Sequence, residues 1–381
     1  MLRSDGGLSA AGAAITAPVT MLLSGPAGGV TGALWVAEQC GISDFITFDM
    51  GGTSTDVALV RNRAPQIGRE TKVGDLTVRA SSVDVRTVGA GGGSIAHVPE
   101  LTRALRVGPQ SAGADPGPAA YGKGGREPTV TDANVVLGYL PPSLAGGEIS
   151  LDTAAARAAV GRVAEGMGLE SVEAAAAGII DIVNENMLGG LRLVSVQQGF
   201  DPREFALVAF GGAGPLHANA LSRLTGASPV IVPPSPGVLC ALGDATTSLR
   251  DEAARTVLRR FTDLSGADLA DILSELAKEA GVRLADQGLP SDEQRTSYQI
   301  DVRYHGQGFE IAVDLDPSSL ETLGLCVFGT CPESQAAAGS RASASRALMC
   351  WSMACSAARR GGGVGGALVI SGLSTRLWTL V

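Results

Sequence analysis

The chain has 381 residues, enough for two or three packed units at ~150 residues each and enough to bury a sizeable core. Hydrophobic residues at 45% against charged residues at 18% exclude disorder over most of its length. With 29 Lys+Arg against 38 Asp+Glu the net charge is −9, which excludes the basic stripe that neutralises a nucleic-acid backbone or an anionic membrane.

Glycine, at 52 residues, is about twice its usual ~7% frequency without any collagen period, so the excess belongs in special backbone turns. No apolar run reaches the ~18 to 20 residues that span a bilayer. Asp5, Gly6, Gly7 and Pro18 interrupt any signal-peptide core, so a cytoplasmic location is expected. Six cysteines in so long a chain do not make a disulfide framework, and Cys40 and Cys240 read as small buried hydrophobes.

In chain order, residues 28–40 are helical in character and entered through the stretch Ser24-Gly25-Pro26-Ala27-Gly28-Gly29. Residues 45–49 and 55–60 are β-prone, and Gly51-Gly52-Thr53-Ser54 between them predicts a β-hairpin. Ser150 is the expected cap of one Ala-rich helix and Ser171 of a second, which carries Ile179, Ile182, Val183 and Met187 on one face. Residues 205–210 form a buried type of strand, followed by Gly211-Gly212-Ala213-Gly214 and by Pro215 at a first helical position. Residues 230–232 form another strand, and 301–315 suggest a hairpin around Gly306-Gln307-Gly308. Strands alternate with helices, so the class is α/β.

The character changes near residue 320. Up to Leu320 there are 36 acidic and 24 basic residues, whereas 321–381 hold two Glu, no Asp, no Lys, five Arg and four cysteines (Cys326, Cys331, Cys350, Cys355). The two C-x4-C pairs lack a histidine and the closer spacing of structural zinc pairs. Beside that disfavoured zinc-site reading stand a flexible, low-complexity tail and, the reading we favour, an out-of-frame segment of a GC-rich gene rich in Arg, Ala, Gly and Ser.

The sharpest segment is Phe48-Asp49-Met50-Gly51-Gly52-Thr53-Ser54-Thr55-Asp56-Val57. Successive glycines let backbone N–H groups converge without side-chain obstruction, and Thr53, Ser54 and Thr55 add hydroxyl donors, a set that suits phosphate oxygens. It is not a Walker loop, which needs Gly-Lys-Ser/Thr opening a helix. A carboxylate facing a phosphate is repelled by roughly 4 kcal/mol at 4 Å and an effective dielectric near 20, so a cation must intervene. Asp49 or Asp56 would hold a hydrated Mg2+, Asp49 through water, or orient an attacking group. A glycine hairpin with capping Asp and Thr is the competing reading. Residues 88–94, with Gly91 and Gly92, read either as a ligand loop or as a tight turn. Residues 210–215, with Gly211, Gly212 and Gly214, lead a strand into a helix whose N-terminus favours anions. Three such loops in one acidic chain point to a nucleotide cleft. His97, His217 and His305 show no metal-ligand spacing; His217 is either a ligand contact or an ordinary helix-start histidine, and Asn184, Glu185 and Asn186 read as a solvated helix face.

The segments Ser24-Gly25-Pro26-Ala27-Gly28-Gly29-Val30 and 48–56 resemble the hydantoinase A / 5-oxoprolinase family. So do Gly108-Pro109-Gln110-Ser111-Ala112-Gly113-Ala114-Asp115-Pro116-Gly117-Pro118, Pro128-Thr129-Val130-Thr131-Asp132-Ala133-Asn134 and Ala209-Phe210-Gly211-Gly212-Ala213-Gly214-Pro215-Leu216-His217. The resemblance covers residues 1 to about 315. It implies an incomplete lobe of an actin-like ATPase fold (the hexokinase and Hsp70 superfamily), with 1–320 as the ATPase domain and an upstream phosphate-loop domain missing. It implies ATP and Mg2+ as cofactors, and opening of a cyclic amide such as 5-oxoproline or a hydantoin by phosphorylation of the amide oxygen, with a hydantoinase B-type subunit completing the reaction in a hetero-oligomer. Many members carry cysteine where Ala120 stands, so no thiol role is carried over there. Rival readings are the ATPase subunit of an acetone or acetophenone carboxylase, and an inactive nucleotide-binding fragment.

Overall fold

A computed structural model describes residues 1–73, 75–144, 147–260, 263–308, 310–315 and 368–379. The chain divides into two compact units, one of residues 1–6 and 14–247 and one of residues 7–13 and 248–381. The division after Thr247 falls within the span 1–320 expected as one domain, and the C-x4-C pairs lie outside the described residues.

The first unit is built on a mixed sheet. Helix α1 (Ser24–Gln39) leads to β1 (Phe45–Met50), which pairs antiparallel with β2 (Thr55–Arg61); β2 pairs in turn with β3 (Ala64–Pro65) and β4 (Val85–Val88). A two-stranded ribbon of β5 (Ser94–His97) and β6 (Arg106–Ser111) follows. Helices α2 (Val130–Val136), α3 (Thr153–Met167) and α4 (Val172–Val194) precede β7 (Ala206–Phe210). That strand lies parallel to β1, and after α5 (Gly214–Thr225) the short β8 (Val230–Ile231) extends the sheet parallel to β7, before α6 (Leu239–Thr246). All five residues of β7 and all of β1 except Asp49 are buried, as expected where both faces of a parallel pair are covered.

The expected hairpin at 45–60 is present, with Phe45↔Val60 and Met50↔Thr55 in register. Ser171 caps α4 by accepting from the Ala174 amide at 3.1 Å. On α4, Ile179, Val183 and Met187 are buried in the core and Ile182 packs at its margin. Burying three such side chains stabilises the helix's docking by about 5–9 kcal/mol.

Three expectations are corrected. Asp152, not Ser150, caps α3 by accepting from the Ala155 amide at 2.8 Å, while Ser150 lies in a short strand pair. The stretch Ser24–Gly29 is itself the first turns of α1 and does not merely precede it. Glycine weakens a helix by ~1 kcal/mol relative to alanine, but here it permits contact: a Cβ on Gly32 would stand 2.5 Å from the Leu239 carbonyl oxygen of α6. Cys40 is exposed.

The second unit holds an antiparallel sheet of β9 (Arg250–Arg260), β10 (Gln294–Tyr304), β11 (Ile311–Leu315) and β12 (Leu368–Thr379), in the order β9-β12-β10-β11. The late hairpin is there, with Val302 opposite Ile311, and begins earlier than 301. Helix α7 (Gly266–Asp286) carries Leu269, Leu273, Leu276, Ala280 and Leu284 on one buried stripe, against Ala253, Ile300, Val302 and Leu315. Among the described residues no helix is long and apolar enough to cross a membrane.

Candidate functional site

The turn between β1 and β2 spans Gly51 to Ser54, closed by the Gly51 amide donating to the Ser54 carbonyl at 3.0 Å. The segment Gly91-Gly92-Gly93 lies directly beneath it. The Gly92 amide donates to the Gly51 carbonyl at 3.0 Å and the Gly93 amide to the Gly52 carbonyl at 2.6 Å. Each trans peptide sets its C=O and N–H on opposite sides, so drawing these two carbonyls inward turns the Gly52 and Thr53 N–H groups outward. Among the described residues the amides of Gly52, Thr53 and Ser54 meet no acceptor, and Gly52 and Thr53 are exposed. Successive outward N–H groups make an anion-binding concavity.

Gly91 and Gly92 are buried and brace this turn. A Cβ on Gly91 would stand 2.6 Å from the Thr53 carbonyl carbon, and the Gly92 carbonyl accepts from the Thr131 amide at 2.7 Å and the Thr131 hydroxyl at 2.9 Å. The expectation that Thr55 offers a hydroxyl outward is corrected: it is fully buried and its hydroxyl donates to the Ala90 carbonyl at 2.6 Å. Thr53 and Ser54 remain as the hydroxyls of the turn.

The second glycine loop joins the same spot from β7. Gly211 has φ +81°, favourable to glycine, and a Cβ there would overlap Asp49 Oδ1. The Ala213 amide donates to the Met50 carbonyl at 2.9 Å, which sets the start of α5 beside the hairpin turn. Gly214 comes close to the Phe48 carbonyl, whereas Gly212 is exposed with open space where a Cβ would go. Pro215 sits in the first turn of α5, as expected, and the helix dipole there favours negative charge.

Asp49 and Asp56 are directly opposite each other across β1 and β2. Burial, and then the charge of Asp56, push Asp49 up to about 6; its hydrogen bond from Cys240 acts in the other direction. Burial also raises Asp56, whose Oδ1 accepts from the Thr87 hydroxyl at 2.6 Å. The Cys240 thiol donates to Asp49 Oδ2 at 3.7 Å. Burial, with Asp49 and Asp244 nearby, pushes that thiol up to about 12, so it stays an S–H donor. Cys240 is therefore more than the apolar filler expected of it. Among the described residues no group of three His, Cys, Asp or Glu could hold a metal ion directly. A divalent cation here would keep most of its water, as Mg2+ does when bound through one or two carboxylates.

Asn184 is not on a solvated face. It is buried, and its Oδ1 accepts from His217 Nδ1 at 2.8 Å, clasping α4 to α5. Burial pushes His217 down to about 4, so it is neutral, and its Nε2 has no hydrogen-bond partner among the described residues. Glu185 and Asn186 are exposed, as expected of a solvated face, and Asn186 also donates to the Val107 carbonyl at 3.1 Å. Asp132 is a structural carboxylate that accepts from the amides of Ala119, Ala120 and Thr129 and from the Thr129 hydroxyl. The signal that could have found it is the pattern Thr129-x-x-Asp132, a capping box.

The profile of the hydantoinase/oxoprolinase family matches residues 1–253. The caprolactamase subunit alpha of Pseudomonas jessenii is 40% identical over 333 residues, covering 84% of this chain and 47% of that protein. The crystal structure of the ATP-dependent caprolactamase from Pseudomonas jessenii superposes with a TM-score of 0.78 at 35% identity, covering 99% of this chain and 52% of its own. A nucleotide-free structure of acetone carboxylase gives 0.71 at 26% identity, covering 100% of this chain and 52% of its own. The chain thus spans about half the length of the relatives it matches. The α/β fold with a mixed sheet is that of these enzymes, and the chain belongs to the hydantoinase/oxoprolinase family.

Proposed function

We propose that this chain supplies part of the ATP-binding, amide-phosphorylating subunit of an enzyme that opens a cyclic amide at the expense of ATP. The observation that carries the reading is the pair of outward amides at Gly52 and Thr53, set beside Gly212, the α5 N-terminus and the Asp49–Asp56 pair. Such a nest binds phosphate oxygens without a lysine. The exposed glycines Gly52 and Gly212 leave room for the nucleotide, while Gly91, Gly92, Gly211 and Gly214 hold the loops together.

An amide resists water because resonance stabilises its C–N bond. In this reading the lactam oxygen takes the γ-phosphoryl group and ADP leaves; a first water adds to the activated carbon and the C–N bond breaks, leaving an amine and an acyl phosphate, which a second water cleaves to carboxylate and phosphate. Such a transfer asks mainly for positioning and charge neutralisation. The Gly52 and Thr53 amides and the Thr53 and Ser54 hydroxyls would grip phosphate oxygens, while Asp49 and Asp56 orient the water shell of Mg2+ or the attacking group. Mg2+, when bound, supplies neutralisation of phosphate charge. We read the unit as a lobe of an actin-like ATPase fold and 1–320 as the functional portion. ATP as co-substrate fits a cytoplasmic location, and a hydantoinase B-type subunit is the proposed partner.

The test has two stages. Calorimetry on the chain is expected to show magnesium-dependent ADP binding that Asp49→Ala abolishes. Joined to its partner subunit, the protein should hydrolyse ATP faster in the presence of caprolactam, 5-oxoproline or hydantoin. No magnesium-dependent binding would sink the nucleotide assignment. Stimulation by a ketone with bicarbonate instead would favour the second reading, a carboxylase ATPase subunit, which the acetone carboxylase likeness keeps in play at lower identity than caprolactamase.

A further inference from the structure

The helix pair α1 and α6 meets at backbone contact, which four glycines make sterically possible. A Cβ on Gly28 would stand 2.5 Å from Asp244 Oδ1 and 3.1 Å from the Cys240 carbonyl oxygen; one on Gly32 would stand 3.2 Å from the Gly243 amide; one on Gly243 would overlap the Gly28 carbonyl. Gly29 faces two groups at once, with Phe210 Cε2 at 2.9 Å and Cys240 Sγ at 3.2 Å from its Cβ position. Phe210 is the register partner of Asp49 on the neighbouring strand. The seam therefore fixes the height of α6 over the sheet, and with it the place of one thiol: Cys240 Sγ, 3.7 Å from Asp49 Oδ2. The other oxygen, Oδ1, occupies the space that a Cβ on Gly211 would need. Asp49 is thus held between a glycine that admits it and a thiol that donates to it.

We propose that Cys240 is a positioning residue for Asp49, and that the glycine seam of α1 and α6 serves to seat its S–H on that carboxylate. Asp56 faces Asp49 from β2, Asp244 faces Cys240 from its own helix, and the facing glycines of α1 bring no charge. The thiol is then the donor that steadies the carboxylate against a like-charged neighbour. The inference rests on the reading of Asp49 given above.

The experiment uses the full chain and the variants Cys240→Ala, Cys240→Ser, Asp49→Asn and the double variant Cys240→Ala/Asp49→Asn. Two readouts are taken: magnesium-dependent ADP affinity, and urea unfolding analysed as a double-mutant cycle. Loss of one such hydrogen bond is expected to weaken nucleotide affinity roughly three- to tenfold in Cys240→Ala. Cys240→Ser should restore it to within about twofold, because serine keeps the donor. The urea cycle, which does not depend on nucleotide binding, should show coupling between Cys240→Ala and Asp49→Asn. Wild-type affinity of Cys240→Ala, or an equal loss of stability in urea when Asp49 is already replaced, overturns the proposal by reducing Cys240 to packing. If wild type itself binds no nucleotide, the functional reading fails separately, and the urea cycle decides: coupling between the two residues sustains the positioning contact, and none removes it.

Discussion

Replacing Asp49 by asparagine is expected to stabilise the protein at alkaline pH while destroying its function. The Asp49 carboxyl moves from 3.8 to about 6, first because it is largely withdrawn from water and second because Asp56 stands opposite. A shift of about two units corresponds to about 3 kcal/mol at 1.36 kcal/mol per unit. Partial solvent access screens part of that, so about 1–2 kcal/mol is the working figure. A carboxyl that holds its proton more tightly when folded favours folding below pH 3.8, and loses that contribution as pH rises through about 6. Asparagine never ionises. Urea unfolding of wild type and Asp49→Asn, in EDTA, should therefore give equal stability near pH 4 and an advantage of about 1–2 kcal/mol for the variant at pH 8. Taking the difference between the two proteins isolates Asp49 from Asp132, which burial raises in the same direction, and includes the repulsion with Asp56 that the substitution removes. A variant less stable than wild type at pH 8, or a difference that does not change with pH, would refute the claim that this carboxylate is held at a cost.

The glycines should separate by role. Gly91→Ala forces a Cβ into the Thr53 backbone and is expected to cost about 1–3 kcal/mol in chemical denaturation. Gly52→Ala meets nothing within 4 Å, so its melting temperature should match wild type while ADP affinity falls about tenfold in calorimetry. Asp132→Ala strands the amides of Ala119, Ala120 and Thr129 and should cost about 3 kcal/mol or more by urea unfolding, with Asp132→Asn recovering part of it. Asn184→Leu leaves His217 Nδ1 buried without an acceptor and is expected to cost about 1–3 kcal/mol, read by thermal melting.

Local chemistry was legible. The hairpin at 45–61 announces itself through β-prone residues on either side of two glycines, and its antiparallel pairing follows from a connection too short for any crossover. Ser171 is readable as a cap because a polar residue precedes an apolar stripe of period 3.6. Ser150 misleads for the same reason: Asp152 stands two residues later and accepts from the amide three residues beyond it, and spacing alone cannot rank two adjacent capping candidates. The glycine-rich start of α1 reads as a loop because glycine's propensity opposes helix; only the approach of α6 supplies the packing that overrides it. Asn184 and Asn186 flank a charged residue in the sequence and so read as polar surface, while their partners, His217 and the Val107 carbonyl, are 33 and 79 residues away.

The acidic pair shows where such reading stops. Asp56 can be found from Asp49 because a tight turn places them opposite one another, so their mutual repulsion is implicit in ten consecutive residues. Cys240 lies 191 residues away from Asp49, in a segment with no turn or capping signal of its own that points back to the hairpin. What connects them is not a motif but a distance between backbones, set by the glycines of α1 against Gly243 of α6. A protein chain can place a charge by local geometry, but the proton affinity of that charge depends on everything packed within a few ångströms of it. The glycine stretch 24–29 and the hairpin 48–56 thus act on the same carboxylate, one by carrying it and the other by letting α6 come close enough to touch it.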